Sequence, residues 1–493
     1  MSTSTIEEND ILSNIKKQRI MKTIRYFVCG VLLAIAGSPA NAQTDSKAAI
    51  EQVKSIMKSG AADADKQIEK IAKPFKKDGK TLTAIGREYL ANDNSEKAEY
   101  YANMAISKNK TCGEAYILLA DIAIRNDNGG KAAEMFQQAM YMDKTNPEGY
   151  RRYALLMAKS SPQSSFDALE ELRKNAPDYP VDILAAEIAD RTGNVKKAIE
   201  YYSKVDKTKM DDGELASYAT DLFLNGDYSK SLEVAQYGVQ RSPRYTAFNR
   251  LSLYNYTEAK DYANAITYAD KLFNASDSAK FSAMDYQYVG HANLGAKNYT
   301  KAREAFNKII TLDDATENTT LDALKQIATS YNEEEDYENA ISAYEKYLEK
   351  NTKASASDYA ALGTMCTYNA NKLTGDAQVA AVEKADKVYA ELAGRFEDAA
   401  EFAAFQRARV AGIIDADLKK GAAKPHYDQL ISIILKDGRI EGTSKSRLTQ
   451  AYLYNMVYAL QIKDDIPTSK EYAKKVLELD PENAQAKMVS ELK

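Results

Sequence analysis

A chain of 493 residues with 28% charged and 44% hydrophobic side chains has ordinary soluble composition, leaning to helix and away from disorder. Its net charge of −5 comes with both signs interspersed, and no basic block could neutralise a row of phosphates, which argues against nucleic acid as a partner. Two His and three Cys, none at paired ligand spacing, supply little for a metal site or for nucleophilic chemistry, so neither metal nor cofactor is expected.

Residues 1–20 are polar and featureless, and Met21 reads as the true start. Lys22 and Arg25 then form a short positive region, Tyr26 to Gly37 an apolar run, and Ala40-Asn41-Ala42 a small-residue cleavage site. That order is a secretory signal peptide over 21–42, cut between Ala42 and Gln43. The expected address is the periplasm or the outside of the cell. A lipid anchor would need Cys directly after the cut, but Cys29 lies inside the apolar run. No later stretch is apolar enough to cross a bilayer, so the mature chain is expected to be soluble. Cys112 and Cys366 are expected to stay unpaired, since several stacked units would hold them beyond disulfide reach.

Residues 43–78 suggest a helix pair that caps an array. From 79 to 350 a small alphabet recurs. Asp227-Tyr228, Asp261-Tyr262, Asn298-Tyr299 and Asp336-Tyr337 each precede a small residue by three positions: Ser231, Ala265, Ala302 and Ala340. Further small residues stand at Ala98, Ala132, Ala168, Ala198, Ala385, Ala423 and Ser469, giving a period of roughly 37 residues, the mark of stacked supersecondary units. In residues 283–313, Tyr286, Val289, Gly290 and Asn293 fall on one face of a first helix. Ala296 to Asn298 break it, Asn298 is placed to cap the next, and Tyr299, Ala302, Phe306 and Ile309 form the second stripe. Residues 351–493 continue the pattern with longer turns, notably before Ala385 and at 415–425.

The layout resembles the tetratricopeptide repeat, a 34-residue helix–turn–helix unit with small residues at its eighth and twentieth places. Those places are filled by Gly86 and Ala98, Ala120 and Ala132, Ala186 and Ala198, and Ala219 and Ser231. Gly290 and Ala302, Ala328 and Ala340, and Gly363 and Ala385 fill them further on, with Ala265 in a copy of its own. The resemblance implies an all-α solenoid of about eleven repeats, a right-handed superhelix of antiparallel helix pairs. One such pair buries too little apolar surface to stand alone, so each unit needs a neighbour.

The resemblance also implies that first helices line a groove whose outward residues bind partners. On that register the exposed candidates are Arg87, Asp121, Glu187, Arg250, Tyr254, Gln287, His291, Lys325, Asn332, Tyr454 and Tyr458. Their mixed chemistry suits a peptide or protein surface better than one small ligand. Some family members clamp a C-terminal carboxylate with Lys and Asn; here Thr83 with Arg87, Ile117 with Asp121, and Lys325 with Thr329 occupy those places, so the clamp is incomplete. The expected function is a non-catalytic scaffold holding envelope proteins or peptides. The alternative is a glycan-binding repeat protein of an uptake system, though the chain has no Trp to stack on sugars. Catalysis lacks a phosphate loop, nucleophile elbow or metal motif, and the acidic run Glu333 to Asp336 reads as a turn and cap.

Overall fold

The computed structural model describes residues 40–277 and 280–492. The extension at 1–20 and most of the signal segment, 21–39, lie outside the described residues; 40–42 open the helix Ala40–Ser59. All described regular structure is helical, with no strand among the described residues. No described helix is long and apolar enough to cross a membrane.

The described residues divide into two compact units, one ending at Tyr201 and the other beginning at Tyr202. The division falls inside the span 79–350 that the repeat pattern treats as one regular array, at the end of Val195–Tyr202, a second helix of only 8 residues. In the first unit a leading pair, Ala40–Ser59 with Ala64–Ala72, precedes four hairpins. These are Gly79–Ala91 with Ser95–Lys108, Gly113–Arg125 with Gly129–Met142, Pro147–Met157 with Pro162–Asn175, and Val181–Arg191 with Val195–Tyr202.

The second unit opens with Asp212–Leu224 and Tyr228–Arg241, Thr246–Glu258 and Tyr262–Asp270, Ala283–Gly295 and Tyr299–Ile309, and Glu317–Glu333 and Tyr337–Lys350. Ala356–Lys372 with Gly375–Arg395, Ala400–Ala411 with Lys424–Asp437, and Gly442–Gln461 with Ile466–Leu479 come next, closed by Ala484–Ser490. Within each unit helices pack on their sequence neighbours, and several first helices of consecutive hairpins, up to Glu317–Glu333, also touch directly. Each unit is an all-α solenoid of tetratricopeptide type.

Small residues sit where the helices come closest. Ala98, Ala120, Ala132, Ala186, Ala198, Ala219, Ser231, Ala265, Ala302, Ala328, Ala340 and Ala385 are all 0% exposed. Gly86, Gly290 and Gly363 are buried as well, and a Cβ on Gly290 would stand 2.4 Å from the Phe306 ring. On Gly363 it would stand 2.5 Å from Tyr389. No side chain fits at that separation.

The turn between helices is equally repetitive. Asp93, Asp127, Lys260, Lys297, Glu335 and Asp464 take left-handed φ of 51–64°, and Gly193 and Gly226 do the same at 76° and 82°. Each is followed by an Asn or Asp that starts the second helix. The backbone N–H of that residue closes back on the first helix, as Asn128 does on Ala123 O at 2.8 Å and Asp336 on Tyr331 O at 2.9 Å, the Schellman closure. Asn94, Asn128, Asp261 and Asp336 also cap through their side chains.

Three expectations need correction. Asn298 starts its helix but makes no side-chain cap; its amide reaches Asn293 Oδ1 at 3.4 Å instead, on the residue whose carbonyl already holds the Asn298 N–H. In the hairpin 147–175 the enclosed small residue is Ser165, at 0%, whose hydroxyl donates to Ala154 O at 2.7 Å, and not Ala168. Ser231 and Ser469 solve the same problem with bonds to Ala219 O and Met456 O at 2.7 and 3.0 Å. Finally, the residues inserted before Ala385 lengthen helices rather than the turn: Ala356–Lys372 has 17 residues, Gly375–Arg395 has 21, and only two residues separate them. The turn at 412–423 is long as expected. Asp415 is buried at its base and accepts from Lys420 N at 2.9 Å and Ala422 N at 2.8 Å. Cys112 and Cys366 are both free and buried.

Candidate functional site

The candidate residues lie on first helices, and most are already spoken for. In the first unit Arg87 bonds Asp121 at 3.3 Å, and Arg152 of the next first helix grips the same carboxylate while also holding Glu148 at 2.6 Å. Glu187 is exposed on its own first helix.

In the second unit the pattern repeats with greater burial. Arg250 Nε and Nη2 donate to the two oxygens of Asp285 at 2.7 and 2.9 Å, and the Asp285 side chain is 0% exposed. Tyr254 OH donates to the same carboxylate at 2.8 Å. Asp285 is in turn the third residue of its own helix and accepts from Ser282 N at 2.9 Å, forming a capping box. One carboxylate thus fixes both a helix start and the neighbouring hairpin. Lys325 repeats this with Asp358 at 2.9 Å, inside the Ser355/Asp358 capping box. Burial works against the Asp358 charge, yet the bonds from Lys325 and Ser355 outweigh it and hold the carboxyl well below its usual range.

Between these two ion pairs the contact is weaker. Gln287 donates to Asp322 at 3.1 Å, and His291 Nε2 stands 4.0 Å from the same carboxylate. Burial pushes the His291 pKa down, against the pull of Asp322 and Glu258, and the ring lies edge-on to Phe306 at 5.3 Å. Asn332 is half-buried, its side-chain oxygen without a hydrogen-bond partner.

Two candidates offered as exposed are not. Tyr254 is 4% exposed, stacked on Tyr288 at 4.1 Å and set against Phe223 at 5.7 Å. Tyr458 is 8% exposed, lying under the 412–423 turn: a Cβ on Gly421 would meet its hydroxyl at 2.7 Å. Tyr454, half-buried, packs between Tyr458 and Tyr427, and burial pushes its hydroxyl up to about 12.

The surface that remains differs from the one the repeat register suggests. Phe223, Tyr228, Tyr254 and Tyr288, from three consecutive hairpins, form one aromatic cluster, with Tyr288 OH bonded to Glu258 at 2.7 Å. Tyr228 is its open edge, 39% exposed. Sequence reasoning missed Phe223, Glu258, Asp285, Tyr288, Asp322 and Asp358. Two had a signal: Ser-x-x-Asp at 282–285 and 355–358, placed 35 and 33 residues after Arg250 and Lys325, one repeat on. Among the described residues no group of three or more His, Cys, Asp or Glu side chains could hold a metal ion.

No family model matches the chain, and no curated protein matches it either. Solved structures do. The C-terminal part of a TPR repeat-containing protein from Cytophaga hutchinsonii is 23% identical, with a TM-score of 0.43, over 56% of this chain and 100% of that one. A tetratricopeptide repeat protein from Parabacteroides merdae is 17% identical, TM-score 0.32, over 50% of this chain and 98% of that one. PilF of Pseudomonas aeruginosa is also 17% identical, TM-score 0.32, over 42% and 95%.

Proposed function

We propose that this chain is a non-catalytic scaffold that binds a protein or peptide partner in the second unit, at the aromatic cluster whose open edge is Tyr228, the first residue of the second helix Tyr228–Arg241. The observation that carries the reading is the aromatic cluster, with Tyr228 open at one edge and Tyr254, Tyr288 and Phe223 held rigid behind it. Aromatic side chains on a fixed backing give contact area at little conformational cost. The Arg250–Asp285 pair supports it by tying two hairpins of the cluster together before a partner arrives, and Lys325–Asp358 ties the next two, which lowers the cost of association. The signal segment at 21–42 supports an address in the cell envelope, with envelope components as the partners.

Crosslinking of the exported chain in intact cells, followed by mass spectrometry, tests this reading. A specific crosslinked protein that is lost in Tyr228→Ala but kept in Lys301→Ala, an exposed residue outside the aromatic cluster, is the expected result. Crosslinks that do not change with Tyr228, or that enrich nothing, would remove the basis for the assignment. Fractionation of cells carrying Ala42→Asp, which blocks cleavage, tests the export step separately.

A further inference from the structure

A shallow open cavity of about 490 Å³ lies on the opposite kind of surface, in the first unit, against the second helix Ser95–Lys108. Tyr100, Asn103, Met104 and Ser107 follow one another at helical spacing along its floor, and Lys76 and Lys108 flank it. The core-facing stripe of the same helix is Ala98, Tyr101, Ala102 and Ala105; Met104 borders that core, whereas Tyr100, Asn103 and Ser107 are not part of it.

Tyr100 is 52% exposed and stands edge-on against Tyr101 at 5.3 Å. Tyr101 is itself clamped by a stack on Tyr89 at 5.5 Å, and Tyr89 OH donates to Asp65 at 2.8 Å. The open ring therefore rests on a fixed base. Neither Lys76 nor Lys108 has an ion-pair partner among the described residues. Lys77 and Lys110 stand on the adjoining loops and Lys80 at the start of the helix Gly79–Ala91, and these segments pack together: a Cβ on Gly79 would lie 3.2 Å from Cys112 Sγ. The acids nearby in sequence are Asp78, Glu114 and, on the helix itself, Glu96 and Glu99, while Lys97 adds a further cation 6.0 Å from the centre of the Tyr100 ring. Asp78 is already consumed as a cap, accepting from Lys80 N, Thr81 N and the Thr81 hydroxyl. The local excess is positive in a chain whose net charge is −5.

We infer that this cavity binds a small ring-bearing anion, a carboxylate or phosphate. Its ring lies on Tyr100 and Met104, its polar substituents reach Asn103 and Ser107, and its charge sits between Lys76 and Lys108. A sugar acid and an aromatic phosphate share this chemistry. The inference does not depend on the partner surface of the second unit.

Calorimetry on the chain from Gln43 onward, at low salt, uses glucuronate and phenyl phosphate, with glucose and phenol as uncharged counterparts. Saturable binding of either anion, with the counterparts at least about tenfold weaker, is expected. The tighter anion identifies the source. Lys76→Gln with Lys108→Gln should weaken binding by about tenfold or more, and Tyr100→Ala by several-fold, with circular dichroism unchanged because all three are exposed. Equal binding of uncharged counterparts, indifference to the double lysine variant, or no saturation by either anion up to about 10 mM would overturn it.

Discussion

The Arg250 guanidinium holds Asp285 by two hydrogen bonds across 35 residues of sequence, joining first helices of neighbouring hairpins through a carboxylate that water does not reach. A buried pair of this kind contributes little over an apolar contact, but losing one partner is costly because the other charge stays behind. Asp285→Ala should therefore lower stability by about 3 kcal/mol or more, since it also removes the capping box and the Tyr254 acceptor. Urea unfolding of Asp285→Ala, Arg250→Ala and the double variant should give a strongly non-additive cycle. Additive effects would show that the pair is not energetically linked.

Gly290 and Phe306 test the close approach within a hairpin. Gly290→Ala places a methyl 2.4 Å from the ring and should cost about 1–3 kcal/mol through overpacking. Phe306→Leu in the same chain should recover part of that loss, measured as the thermal midpoint by circular dichroism. A Gly290→Ala protein as stable as the parent would mean that the helices separate freely.

Lys260 and Lys297 hold the left-handed position at φ 59° and 60°, where their hairpin equivalents Gly193 and Gly226 have no Cβ to accommodate. Replacing either lysine with Gly should stabilise the protein by about 0.5–1 kcal/mol, the strain relieved exceeding the entropy added to the unfolded chain. Denaturant midpoints decide it, and a fall in midpoint would refute the strain.

His426 is half-buried, 3.6 Å from Asp386, which Arg407 already holds by bonds of 2.7 and 3.0 Å. Burial and then Arg407 push the His426 pKa down, against Asp386, and burial does the same to His291. The unfolded chain thus takes up protons first. The associated stability is fully present above the ordinary value of 6.5 and is lost as pH falls below it. Urea midpoints should drop between about pH 7.5 and 5.5, and His291→Gln with His426→Gln should flatten that slope. A further drop belongs to Asp358: its pKa is depressed, so its stability is present above the ordinary carboxylate range and lost as pH falls through it. Asp358→Asn should remove that acid limb. A slope that survives both sets of substitutions would place the titration elsewhere.

The hairpins were legible because their requirement is local. Wherever two helices must nearly touch, only Gly, Ala or Ser fits, and that need returns once per repeat, so Ala302 and Gly290 announce themselves in one dimension. The register slipped at 147–175 because Ser165 and Ala168 are both small, and only the enclosed hydroxyl bonded to Ala154 O separates them. The site was less legible. Arg250, Gln287 and Lys325 sit at outward-facing places of a repeat, and a single hairpin gives them nothing to bind but water or a partner.

Spacing alone fixed the helical content, the hairpin order and, outside 147–175, the small-residue contacts, because these follow from side-chain volume and period within one unit. Tertiary structure decided which polar residues stay available. Whether an Arg or Tyr faces solvent or a carboxylate depends on the offset between successive hairpins, and that offset is a sum of packing contacts that no single repeat contains.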